Sequence, residues 1–285
     1  MAQASTKDAP PPAAEAVPTA PPWWKRLRAD PPFSIRMGLG AAAVVVVLFI
    51  WWFVTHGPVV ERIISPSKLP SPGEVLDSIG KMGDRGLFDS IFTTLERVFA
   101  GVLIAAVVGV TLGVLSGANR GVSAALGPIV IFLRSVPMGA LLPLTLLLFS
   151  TGEKQKVMFI FLAIVPFVFS DSLKAVSIVP ERYLETAQTL GASNRQIIMK
   201  VLVPLALPDI ITSIRFQVGL ALGYIMLAEV IDTTSGLGVL LNSSEREGPY
   251  EHVYLLLFII AILAFLIDLI LRTLQRGAFA WRRDL

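Results

Sequence analysis

The strongest constraint on this chain is a series of long stretches without charge. Residues 38–55, GLGAAAVVVVLFIWWFVT, contain no Asp, Glu, Lys or Arg. A bilayer core about 30 Å thick takes roughly 20 mostly apolar residues of helix, whose backbone groups bond to one another where no water is available. Residues 98–118 form a second uncharged run, and 121–152 a third interrupted only by Arg134. Three more follow at 157–170, at 210–228 with Arg215 inside, and at 253–271 with Asp268 inside. The third run, with 32 residues, is too short for two spans of about 20. Its Pro128, Pro137 and Pro143 predict one kinked helix with a broken or peripheral start. The simplest count is six transmembrane helices in an all-α, polytopic membrane fold.

Composition agrees. The chain is 54% hydrophobic and 16% charged, against about 25% charged in soluble domains, which excludes an ordinary soluble enzyme. The net charge of +3 and pI near 9.3 do not mark a nucleic-acid binder, because the charges flank the apolar runs instead of forming a stripe. With no cysteine there is no disulfide, thiolate metal site or cysteine nucleophile.

The runs divide the chain. Residues 1–36 read as a disordered, Pro/Ala-rich cytoplasmic tail: the first 22 residues hold six prolines and seven alanines. Trp23, Trp24, Lys25, Arg26 and Arg28 then form an interfacial collar. Residues 37–87 carry the first anchor and an extracytoplasmic segment. That anchor lies beyond the usual place of a cleaved signal and ends in bulky residues, so it reads as retained. Residues 88–278 are the transmembrane core, and 279–285 a cytoplasmic tail. Placing the amino terminus inside puts 14 of the 24 Lys and Arg on inner segments, seven on outer segments and three within spans. Both termini are therefore expected in the cytoplasm.

One cytoplasmic segment, about 180–204, is more than a connector. Pro180 suits a helix start, Gly191 a left-handed stop, and Ser193 with Gln196 a capping box. Pro204 and Pro208 then open the next span. The segment reads as helix, glycine turn, helix. Its apolar residues, including Leu184, Ala187, Leu190, Ile197, Ile198, Val201 and Leu202, recur at helical spacing. They either pack on the ends of the spans or form a docking surface for a soluble partner.

Within the spans, Gly101, Ala105, Gly109, Gly113 and Gly117 form a small-residue stripe, with Gly219 and Gly223 in a later span. Such spacing lets helix backbones approach closely. Arg134, Arg215 and Glu229 are candidates for the pathway or a gate, since ionisable groups in spans are costly and face the bundle interior. Structural roles are equally open: carbonyls freed by Pro137 or Pro204 would suit the arginines. Glu96 and Arg97, at the outer edge, are weak candidates, and Asp268 with Arg272 has the i,i+4 spacing of a helix ion pair. No catalytic residues and no metal site emerge. The two histidines, His56 and His252, lack ligand spacing, and no G-x-x-x-x-G-K-[ST] phosphate loop occurs.

The 180–204 segment resembles the EAA loop of permease subunits of bacterial ATP-binding-cassette importers, whose pattern is E-A-A, three residues, G, nine residues, I-x-L-P. Here stand Glu185-Thr186-Ala187, Gly191 and Val201-Leu202-Val203-Pro204 at that spacing, with Thr186, Val201 and Val203 as conservative departures. SPSKLPSPGEVL at 65–76, RSVPMGALLPL from Arg134, GEKQK from Gly152 and SGLG at 235–238 resemble the nitrate/sulfonate/taurine/bicarbonate branch. The resemblance covers residues 65–278. It implies a permease subunit of the inner membrane, without cofactor of its own, carrying a small, anionic solute. It implies as partners a second permease subunit, in the simplest case an identical one, two cytoplasmic ATPase subunits holding ATP and Mg, and an extracytoplasmic solute-binding protein. Membrane lipid surrounds it and nucleic acid has no part. Glu185, Thr186, Ala187, Gly191, Ser193 and Pro204 would belong to the loop coupling it to the ATPase. An ion-gradient-driven secondary transporter, or a structural membrane subunit without transport, are the competing classes; the former predicts inverted repeats and mid-membrane acids.

Overall fold

The structure, a computed structural model, describes residues 27–59, 62–231 and 234–282. The proline-rich tail, the collar residues Trp23, Trp24, Lys25 and Arg26, and the last three residues of the chain lie outside these. The described elements are all helical: α1 (Phe33–Thr55), α2 (Pro72–Asp84), α3 (Leu87–Ala118), α4 (Arg120–Ser135), α5 (Met138–Phe149), α6 (Glu153–Ser177), α7 (Glu181–Thr189), α8 (Asn194–Ile197), a π-helical turn (Ile198–Leu202), α9 (Val203–Glu229), α10 (Leu237–Glu247) and α11 (Tyr250–Ala278). Contacts divide the chain into two units, Met1–Phe53 and Val54–Leu285. The first carries nearly all of α1, whose 23 residues rise about 34 Å, enough to cross a bilayer.

The second unit is built on α3, α6 and α9. Val98, Val102 and Ala105 of α3 meet Phe159, Ile160, Ala163, Ile164 and Val168 of α6 and Val218, Ala221, Leu222 and Ile225 of α9, all buried. The glycine stripe of α3 explains how closely the first two approach. A Cβ on Gly101 would stand 2.6 Å from Ile160 Cβ, one on Gly109 2.9 Å from Val168 Cγ1, and one on Gly113 2.5 Å from the Phe169 carbonyl oxygen. Lipid tails are as apolar as leucine, so this close fit, not exclusion of water, holds the pair. Gly219 and Gly223 differ: a Cβ on either meets nothing within 4 Å, so that stripe does not pack within the chain.

Among the described residues five helices, counting 194–229 as one, are long and apolar enough to cross a membrane, and the bent pair of α4 and α5 brings the count to six when taken together as one span. The expected single kinked helix is thus corrected to two helices meeting at 104°. Pro137 causes the break. It disfavours helical geometry at Val136, which takes ψ 125°, and is itself extended at φ −60°, ψ 130°, so two successive residues leave the helix. Pro128 and Pro143 sit inside helices without ending them.

Helix α2 caps one end of the unit. Ser71 and Glu74 form a reciprocal capping box with Pro72 in the first turn, Arg62 pairs with Glu74 at 2.9 Å, and Tyr254 Oη of α11 donates to the Lys68 carbonyl at 2.9 Å.

Candidate functional site

At one end of the second unit lies the 178–203 segment. Helix α7 closes through paired bonds from Gly191 N to the Gln188 carbonyl at 2.9 Å and from Ala192 N to the Ala187 carbonyl at 3.0 Å, a motif needing a left-handed residue. Gly191 supplies it, at φ +78°. Ser193 then caps α8 through a reciprocal box with Gln196. Leu184, Ala187, Ala192, Ile197, Ile198 and Leu202 pack on Val114, Ala175, Val176, Ala206 and Ile210. The opposite face is open: Glu185, Thr186, Ser193 and Pro204 are exposed, as are Leu190 and Met199, at 82% and 61%. Among the described residues Glu185 makes no side-chain bond, while Thr186 Oγ1 donates to the Arg182 carbonyl at 2.7 Å. The π-helical turn joining α8 to α9 was not legible in the sequence.

About 25 Å along α3, the distance of 17 residues of helix rise from Val114 to Arg97, lies a second polar assembly. Arg97 and Glu229 are 2% and 0% exposed. Arg97 donates from Nη1 to Glu229 Oε1 at 2.8 Å and to the Ser235 carbonyl at 2.9 Å, and from Nε and Nη2 to the two Glu153 oxygens at 2.6 and 2.5 Å. Glu229 also accepts from Thr94 Oγ1 at 2.8 Å and Gly238 N at 2.8 Å, while Leu237 N donates to Thr94 Oγ1 at 2.9 Å. Helices α3, α6 and α9 and the turn before α10 are thereby tied together. Gly236 is required there twice over: its φ is +129°, and a Cβ would lie 2.5 Å from the Glu229 carboxyl carbon. The expectation that Arg97 is a partly hydrated edge residue is overturned, because α6 and α9 close over it.

The other intramembrane groups are placed differently. Arg134 lies on an exposed face of α4 with its guanidinium 5.0 Å from the Phe167 ring centroid, not on carbonyls freed by proline. Arg215 Nη2 pairs with Asp268 Oδ1 at 2.7 Å, and its Nη1 donates to Gln275 Oε1 at 2.7 Å. The expected pair of Asp268 with Arg272 is therefore corrected: Asp268 turns to α9, where a cation and a second hydrogen-bonding side chain offer better satisfaction than a neighbour on its own helix. Asp171 of α6, which accepts from Ser213 Oγ, is an acid inside a spanning helix that the uncharged-run reading stopped short of. His252 is buried, and among the described residues neither ring nitrogen has a hydrogen-bond partner.

A sequence profile of the family described as binding-protein-dependent transport system inner membrane component matches residues 109–279. The chain belongs to this family. The permease is 34% identical over 266 residues to the taurine transport system permease protein TauC of Escherichia coli K12, covering 91% of this chain and 95% of that one. It is 30% identical to the nitrate import permease protein NrtB of Synechocystis, over 83% and 87% of the two chains. Its fold matches that of the MetNI methionine ABC transporter in an inward-facing state, with a TM-score of 0.62 and 24% identity over 67% of this chain and 95% of that one. The chain is a multi-pass inner-membrane permease subunit of an ATP-binding-cassette importer, and the two polar assemblies sit at opposite ends of its helical core.

Proposed function

We propose that this permease pairs with a second, identical subunit to enclose a pathway for a small anionic solute. An extracytoplasmic binding protein delivers the solute, and two cytoplasmic ATPase subunits, holding ATP and Mg, drive the cycle. The 180–204 hairpin is the coupling element, both termini lie in the cytoplasm, and the Arg97–Glu229 assembly lies on the outer side. The observation that carries this reading is the two-faced hairpin: one face is fixed to the core by Leu184, Ala187 and Ile197, and the other presents Glu185 and Leu190 to solvent. A rigid element with a free face passes a push at its tip to the spans behind it. ATP shifts the permease between states only in so far as the ATPase fits the hairpin better in one of them. The relatives named for taurine and nitrate support a small anion as cargo. Of the pathway candidates, Arg134, on an open face of the broken helix pair, is the residue placed to meet it. Arg215 and Glu229 act through structure, each being engaged by partners within the chain.

The test uses Glu185→Ala and Gly191→Val in the complete transporter. Valine is strained at φ +78° although nothing crowds it, so the turn distorts while the core stays. Both variants are expected at normal levels in the membrane, with weakened ATPase co-purification or with hydrolysis uncoupled from uptake. Normal association and normal uptake in both would refute the coupling assignment.

A further inference from the structure

Between the α3–α4 corner and the base of the 180–204 hairpin lies a cleft of about 400 Å³, within the range of about 300–1,000 Å³ usual for small-molecule sites. The corner contributes Arg120, the first residue of α4, Ser123 one turn further on, and Ser116 near the end of α3. The hairpin contributes Glu181, the first residue of α7, with Leu184 and Leu202.

Polar groups in this cleft are left without partners. Among the described residues Arg120, Ser123 and Glu181 make no side-chain hydrogen bond or ion pair, so the cation and the anion do not pair with each other although they share the cleft. Ser116 is 3% exposed, and its Oγ has no partner among the described residues. Buried hydroxyls are normally bonded, so this one leaves a donor available in the lining. A neighbouring cleft of about 320 Å³, lined by Asp209 and Arg282, differs: there the two charges already pair at 3.0 Å. The amino end of α4 is not the attraction either, since Asn119 Oδ1 accepts from Gly121 N and Val122 N at 2.8 and 3.3 Å. Side chains must hold whatever enters.

Charge decides the chemistry. An anion alone is drawn to Arg120 but repelled by Glu181, and a cation alone meets the reverse. A molecule bearing both charges satisfies both, and a short methylene chain between them suits Leu184 and Leu202.

We propose that this cleft binds a small zwitterionic group, an oxyanion joined to a primary ammonium by a short carbon chain. The oxyanion accepts from the Arg120 guanidinium and the Ser123 hydroxyl, and the ammonium donates to the Glu181 carboxylate. Held between α4 and α7, the ligand ties the base of the hairpin to the α3–α4 corner. Two sources share this chemistry: the phosphoethanolamine headgroup of a membrane lipid and a free amino-oxyanion in water. The binding does not depend on the transport reading above; its consequence for coupling does.

The test follows thermal unfolding of the full-length permease in phosphatidylcholine nanodiscs, without nucleotide, as O-phosphoethanolamine is added. The midpoint is expected to rise with its concentration. Arg120→Gln and Glu181→Gln should each raise the half-saturating concentration roughly tenfold or more, the weight of one hydrogen bond to a charged group. Arg272→Gln, which removes a positive charge from an exposed site on α11, should leave it unchanged. Inorganic phosphate, and phosphocholine with its quaternary nitrogen lacking an N–H, should also need roughly tenfold more. Both cleft charges are exposed, and each variant is judged by its ligand-induced shift, not by its starting midpoint. The site is overturned if the wild type shows no shift, if phosphate or phosphocholine matches O-phosphoethanolamine, or if the cleft variants respond as the wild type does. Nanodiscs containing phosphatidylethanolamine separate the sources: a shift that disappears there assigns the site to the lipid headgroup, and one that persists assigns it to the free solute. A transporter without nucleotide-driven uptake would sink the transport reading and leave this binding measurement standing.

Discussion

Glu229 carries a charge out of reach of water, and Arg97 is the cation that makes this tolerable. Breaking such a pair from one side costs about 3–5 kcal/mol when the survivor is left as an uncompensated buried charge. Arg97→Ala, which leaves Glu229 in that state, is therefore expected to lower the thermal midpoint of the detergent-solubilised protein or abolish its accumulation, an effect much larger than that of removing the exposed Glu96. A fluorescence thermal scan of both variants checks this. Glu229 could be singled out from the sequence because an acid at the end of an apolar run is conspicuous. Arg97 could not be weighed correctly, because its partners lie 56 and 132 positions away and nothing in one sequence shows which helix closes over an end residue. The same holds for Gly236, whose need for φ +129° depends on a carboxylate seven residues earlier that folds back over it.

Among the elements, the α3–α6 pair shows where the sequence was most readable. A stripe of small residues at four-residue spacing says that backbones come close, and the structure supplies the partner. Gly109→Leu is expected to destabilise the protein by roughly 1–3 kcal/mol or more, the cost of forcing volume into a packed contact, whereas Gly219→Leu should leave the isolated chain's unfolding unchanged. Thermal unfolding of the two variants side by side gives the contrast. Helix α2 gives a prediction in pH. Partial burial pushes the Glu74 carboxyl up, but the Ser71 backbone and hydroxyl and the Arg62 guanidinium outweigh this, so its pKa lies below the ordinary 4.5. The resulting support for α2 is complete above pH 4.5 and is lost as pH falls through the lower folded value. Amide exchange in residues 72–78 should accelerate in that acidic window, and Glu74→Gln should remove the pH dependence. The third apolar run was the least readable element. Length ruled out two full spans, but three prolines offer three places to break, and which one yields depends on whether its neighbour can leave the helix.

For the whole molecule, the fold class and the two-faced hairpin follow from patterns that a single sequence contains: uncharged runs, caps and the spacing of Glu185, Gly191 and Pro204. The polar assembly at the other end does not, because it is made of residues from four elements. Between these ends runs α9, and its connection to the hairpin is the π-helical turn at Ile198–Leu202. An α-helix advances about 100° of rotation per residue, and a π turn accommodates an extra residue by widening. Removing one residue there, for instance Met199, would let the winding tighten and rotate Arg215 and Gly219 by about that angle against the hairpin. The register between the hairpin and the faces of the span is thus set like the phase of a screw thread, and a change of one residue in its length forces either the seat of the hairpin on Ala206 and Ile210 or the pairing of Arg215 with Asp268 to give way.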